Sequence, residues 1–317
     1  MIEVHAPGLL TTVQDLGREG YGPIGVSPSG AADAIALRLG NRLVGNPEGA
    51  AALEMTLLGG VFLFPEGAVV ALTGADFDPS LNGTAIPMWT SIQVRPGQKL
   101  QTGPTRAGAR SYLCVQGGIE VNLFLGSSST HLLSGLGGHQ GRALRKGDML
   151  KIGSANGAFV KRTVSAQGLD HCKARRVLRV TPGPQSKWFP EAAHDAFYGN
   201  GYQVTEECNR MGLRLDGATL PGSARGEMIT EGVSLGAVQI TSAGLPIILF
   251  VEQQTTGGYA KIANVISADL SSLGQLRPRD VVRFQKVDWE TARRLLIEQE
   301  QLLASEDLLV DVSKELA

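Results

Sequence analysis

The apolar residues of this chain change their period along its length. Ile35, Leu39 and Leu43 recur at every fourth position, the spacing that lays one apolar stripe along a helix. Ser27-Pro28 supplies a capping hydroxyl and a proline at the first helical position, so the pattern predicts a helix over residues 28–44. Gly45-Asn46 stops it, and Asn46-Pro47-Glu48 repeats the start signal for a shorter helix over residues 46–53. Beyond that point apolar residues alternate with polar ones, the period of a half-buried strand. Strands are expected at residues 61–64, 69–73, 92–94, 111–115 and 149–152, after a first short one at 2–5. A corner of similar chemistry recurs three times, as Arg95-Pro-Gly, Arg145-Lys-Gly-Asp and Arg277-Pro-Arg-Asp, each leading into an apolar strand.

Residues 164–176 are polar and weakly patterned, and read as a link between two halves. The second half carries expected strands at 177–181, 213–215, 237–241, 247–251 and 281–284. A final helix is capped by Asp288, with Ala292, Leu295, Leu296, Leu302 and Leu303 on one stripe. The expected organisation is a β-rich domain over 1–175, a β-barrel over 176–287, and a helix and tail over 288–317. The fold class is mainly β, in two barrel-like units with a few short helices.

One stretch concentrates polar chemistry. The apolar run 245–251 enters Glu252-Gln-Gln-Thr-Thr-Gly-Gly-Tyr-Ala-Lys261. Gly257-Gly258 carries no Cβ, so its backbone can turn sharply or approach a ligand closely. Gln254, Thr255, Thr256, Tyr259 and Lys261 offer donors and acceptors at the end of a stiff strand. The same residues also suit a plain strand–turn–strand corner.

Composition narrows the classes. The 317 residues are 43% hydrophobic and 19% charged, ordinary values for a globular protein with a sizeable core. Twenty-nine basic residues against thirty acidic ones leave no net field for nucleic acid or an anionic membrane. Three cysteines without close spacing, Cys114, Cys172 and Cys208, exclude a Cys-x-x-Cys pair and suit a reducing compartment. No basic and apolar leader opens the chain, and no apolar run approaches the roughly 18 residues of a membrane span. A cytoplasmic location is therefore expected.

Most catalytic signatures are missing from the sequence. It has no phosphate loop. The run Gly135-Leu-Gly-Gly-His-Gln-Gly141 places Gln140 where a dinucleotide fingerprint needs glycine. The five histidines never fall at metal-ligand spacing, so no metal is expected. Two polar groups remain. Asn209-Arg210 opens an alternating strand, where a guanidinium can grip a planar carboxylate with two parallel hydrogen bonds. Gly25-Val-Ser-Pro-Ser-Gly30 with Asp33 and Asn41 forms the other, although capping already accounts for Ser27 and the helix dipole for Asp33.

Taken together these stretches resemble a known family. Residues 8–18, 25–33 and 41–47 are similar to the amino-terminal signature of the KipA family. Ala52-Leu-Glu-Met-Thr56, Leu72-Thr-Gly-Ala75, Asn209-Arg-Met-Gly212 and Gln254-Thr-Thr-Gly-Gly-Tyr259 match in the same order. The family is also called allophanate hydrolase subunit 2, or the biotin-dependent carboxyltransferase family, and includes the PxpC subunits of bacterial 5-oxoprolinases. The resemblance spans residues 8–285.

The resemblance implies a cyclophilin-like barrel in the second half and an obligate KipI-like (PxpB-like) partner. In 5-oxoprolinases a PxpA-like subunit joins them, and ATP-dependent opening of the 5-oxoproline lactam yields glutamate. In urea carboxylases a similar pair of segments moves a carboxyl group from carboxybiotin to urea. In a sporulation system KipA instead counteracts KipI, an inhibitor of a histidine kinase. Urea-acting relatives bring a histidine shortly after the Asn-Arg motif, and Glu227-Met-Ile-Thr-Glu231 holds none, which favours the 5-oxoprolinase branch. Ser129-Thr130-His131 departs from the family's Ser-Thr-Asp. No lysine stands in a Met-Lys-Met context, so biotin would arrive on a partner, ATP would belong to the complex, and this chain alone would bind no cofactor. On this resemblance Arg210 fixes a carboxylate, while Asn209 and the backbone of Thr255, Thr256, Gly257 and Gly258 donate to a carbonyl oxygen gaining charge. Tyr259 or Lys261 serves a proton or a charge, and Gln254 and Asp33 join the small-molecule amide or lactam.

Overall fold

The computed structural model describes residues 1–155, 157–221 and 228–312. The chain is mainly β and divides into two compact units.

The first unit comprises Met1–Arg18, Ser29–Lys173 and the chain from Leu302 onward. Its strands form two larger sheets. A seven-stranded sheet runs Ile119–Glu120, Met149–Ile152, Ile2–Ala6, Val61–Phe64, Gln98–Gln101, Ser80–Leu81, Thr84–Ala85. A five-stranded sheet runs Leu10–Gln14, Ala52–Thr56, Ala107–Val115, Ala68–Asp76, Ser91–Val94. Alternation sorts the side chains. Leu113, Val115, Val70 and Leu72 meet Phe62, Phe64, Ile2 and Leu100 in one core, while Tyr112, Cys114 and Ala71 turn to the other face. There helix α1, Ala34–Leu43, covers them with Ala36, Leu37 and Leu43. Gly40 makes this close approach possible, because a Cβ would sit 2.6 Å from Cys114 Sγ and 2.8 Å from Thr73 Oγ1.

Helix α1 starts six residues later than the sequence pattern predicts. Ser29 and Gly30 take left-handed φ values of 57° and 94°, which a helix cannot contain. Asp33 rather than Ser27 caps the helix, its carboxylate accepting from Ala36 N at 3.0 Å. The helix expected over 46–53 is also absent: Ala52–Thr56 is a strand, paired through Leu53 with Val13 on one side and Leu113 on the other. Asn46 donates to Val115 O at 2.7 Å and accepts from Gly117 N at 2.8 Å, so a distant strand uses the amide that local pattern assigned to a cap. The weakly patterned stretch after residue 164 contains a short helix, Ala166–His171, capped by Ser165.

The second unit comprises Glu19–Pro28 and Ala174–Gln301. Seven strands close into a barrel in the order Val177–Pro182, Lys261–Val265, Ala237–Ile240, Pro246–Leu249, Gly212–Gly217, Tyr202–Val204, Val281–Lys286. The last returns to the first by a parallel pairing, Leu178 opposite Phe284, which removes both open edges. Phe197, on the helix Glu191–Gly199, stacks on Phe284 with ring centroids 4.3 Å apart. A separate two-stranded ribbon pairs Glu231–Gly232 with Thr256–Gly257. The terminal helix Trp289–Ala304 begins as expected, Asp288 accepting from Thr291 N at 2.8 Å. Among the described residues no helix is long and apolar enough to cross a membrane.

Candidate functional site

In the second unit residues 205–211 link the barrel strands Tyr202–Val204 and Gly212–Gly217. Asn209 shapes the link by an Asx turn, Oδ1 accepting from Met211 N at 2.8 Å and from Gly212 N at 3.3 Å. That leaves the amino group of the same side chain as the donor it offers outward. Arg210 turns the opposite way. It is 4% exposed, and its guanidinium binds Glu252, a carboxylate of the chain itself. Glu252 N also donates to Arg210 O at 2.8 Å, and Phe250 N to Met211 O at 2.9 Å, so the Asn-Arg segment and the strand exit at residue 250 form one rigid corner.

Beyond that corner lies a recess of about 180 Å³. Asn209, Gln254, Gln239 and Tyr259 bring polar groups to it, and Met211, Ile247 and Leu249 give it an apolar wall. Arg214 and Glu207 stand at its rim, 3.7 Å apart and both well exposed. Arg210 does not line the recess but supports the segment that does.

Lys261 is 2% exposed, its ammonium 2.7 Å from Glu231. Gln185 completes this group, donating to Glu231 at 2.8 Å and accepting from Lys261 N at 3.1 Å. The Lys261 ammonium first, and Gln185 next, hold the Glu231 carboxyl below its ordinary range. Thr256 and Gly257 pair their backbone with Gly232 and Glu231, and Val233 N donates to Thr255 O, so the glycine-rich turn is engaged in a ribbon. Gly258 is exposed beside it.

The structure thus gathers Asn209, Gln254 and Tyr259 at one recess, with Arg210 behind it and the buried Lys261 paired to a half-exposed Glu231. Asp33 belongs to the first unit, where it caps α1 and its N–H donates to Tyr112 at 2.7 Å. Tyr112 in turn donates to the buried Glu54 at 2.7 Å, and burial drives the phenol's pKa well above its ordinary value, with the Glu54 charge adding to the effect. Of the segment 227–231, Glu227 lies outside the described residues. Among the described residues no cluster of acidic, histidine or cysteine side chains suits a metal ion.

The carboxyltransferase domain family, subdomains A and B, matches residues 24–286. This chain belongs to that family. It is 38% identical to the C subunit of 5-oxoprolinase from Escherichia coli, over 95% of this chain and 96% of that protein. It is 36% identical to the C subunit of 5-oxoprolinase from Haemophilus influenzae, over 98% and 99%. Among solved structures it superposes on the Kluyveromyces lactis urea amidolyase with a TM-score of 0.87 at 32% identity, covering 98% of this chain but 20% of that one.

Sequence reasoning missed three members of this site. Glu252 pairs with Arg210, Glu231 pairs with Lys261, and Gln239 lines the recess. The signal for Gln239 was present: it interrupts Ala237-Val-Gln-Ile240, where all four residues are buried.

Proposed function

We propose that this chain is the PxpC-type component of an ATP-dependent 5-oxoprolinase, acting with PxpA-like and PxpB-like partners to hydrolyse 5-oxo-L-proline to L-glutamate. The observation that carries the reading is the end-to-end correspondence with two 5-oxoprolinase C subunits, 96% and 99% of whose lengths the chain covers. The chemistry of the recess supports it. Water adds to the lactam carbonyl, the ring C–N bond breaks, and the products are the side-chain carboxylate and amine of glutamate. Oxygen gains negative charge on that path, and the amide donors of Asn209, Gln239 and Gln254 suit it. No base–nucleophile pair lines the recess among the described residues, so partner chains complete the site on this reading. ATP belongs to the assembled complex.

The superposition on urea amidolyase favours a second reading, carboxyl transfer to urea or another amide. The same donor set fits the ureido carbonyl of biotin, which a partner chain would carry. Mixing this chain with PxpA-like and PxpB-like proteins, ATP and 5-oxoproline separates the cases. Glutamate release that requires all three chains supports the first reading; carboxylation of urea by a biotin-bearing partner, without glutamate, supports the second. Tight pairing with the PxpB-like chain and no turnover of either kind leaves a KipA-type antagonist.

A further inference from the structure

Gln239 is 1% exposed and lines the recess, and among the described residues its Nε2 has no hydrogen-bond partner. A buried donor left unpaired destabilises a fold, so its retention calls for a use outside the fold. Two further features surround it. The pairing of Ala237–Ile240 with Lys261–Val265 is interrupted by a bulge between Val238 and Gln239, which brings Gln239 opposite Lys261; bulges commonly re-aim side chains beside working sites. Gly257 lies between two amides: a Cβ there would meet Gln254 Nε2 at 2.6 Å and Gln239 Nε2 at 2.8 Å.

We propose that Gln239 binds substrate, its Nε2–H donating to the amide or lactam oxygen of the molecule in the recess, with Gln254 as a second donor and Gly257 the gap that admits both. This rests on the function proposed above for the substrate's chemistry, but the unpaired donor can be tested without it. The Gln239→Met variant keeps the volume and removes the donor.

In the reconstituted three-chain complex, Gln239→Met and Gly257→Ala each raise KM for 5-oxoproline at least tenfold. Separately, the purified full chain carrying Gln239→Met melts at the same temperature as wild type or higher, because no bond within the fold is lost. Wild-type turnover with unchanged KM in Gln239→Met overturns the assignment. So does a melting temperature several degrees lower, which marks the amide as a bond of the fold. If the wild-type complex releases no glutamate, the proposed function fails, and the melting result still decides whether Gln239 carries an idle donor.

Discussion

Arg210 and Glu252, 42 residues apart in sequence, form an ion pair whose side chains are only 5% and 2% exposed. The pair joins the Asn-Arg corner to the strand exit that carries Gln253 and Gln254, so the guanidinium fixes the shape of the recess from behind. Removing one member leaves a buried charge uncompensated, which costs about 3–5 kcal/mol. Arg210→Ala and Glu252→Ala are expected to lower the urea midpoint sharply. The double variant Arg210→Met/Glu252→Leu recovers most of the loss, because both charges are gone. A double variant no more stable than the singles contradicts this role.

Asp33 separates cap from chemistry in the same way. Asp33→Ala removes the acceptor of Ala36 N and is expected to cost about 1 kcal/mol, whereas Asp33→Asn keeps an acceptor and stays near wild type. Thermal melts of the two variants, run side by side, check the ordering.

The three recurring corners fold alike. Gly97, Gly147 and Arg279 hold left-handed φ values of 79°, 89° and 73°. In each corner the following side chain accepts from the backbone at its start: Gln98 from Arg95 N at 2.7 Å, Asp148 from Arg145 N at 2.7 Å, Asp280 from Arg277 N at 2.6 Å. Arg279 is the member with a Cβ. Arg279→Gly is therefore expected to stabilise the chain by about 1 kcal/mol, offset slightly by loss of its exposed pair with Glu206. A lower melting temperature contradicts the expectation.

Acid sensitivity has a named contributor. The Arg142 guanidinium, hydrogen-bonded to Asp148 at 2.7 and 2.9 Å, and secondarily the Arg145 N–H, hold the Asp148 carboxyl down at about 2. A carboxyl depressed in the folded state stabilises above its unfolded value near 4, and that stability is lost as pH falls from about 4 to about 2. Asp148→Asn is expected to flatten this part of the stability–pH curve, by about 1–2 kcal/mol between the limits. An unchanged slope removes Asp148 as the cause.

Those corners were legible in the sequence because their chemistry is local: a residue at left-handed φ, followed by an acceptor, leading into a strand. The Asp288 cap was legible for the same reason. The start of helix α1 was not, since Ser27-Pro28 carries good capping chemistry and only the left-handed Ser29 and Gly30 cancel it. Ala52–Thr56 was misread because its strand state depends on partners at residues 10–14 and 107–115. In the site, Asn209, Gln254 and Tyr259 stood out as polar residues at turns. Glu252 and Gln239 did not, because their meaning arises only when the barrel closes and brings Arg210 and Gly257 against them.

The recess is tested most directly by the initial rate of glutamate release from 5-oxo-L-proline by this chain combined with PxpA-like and PxpB-like chains and ATP. Wild type should release glutamate only with ATP and all three chains present. Gln254→Ala, an exposed side chain at the recess, should slow release at least tenfold with the melting temperature unchanged. No ATP-dependent glutamate from the wild-type mixture, or an equal rate with Gln254→Ala, would contradict the account.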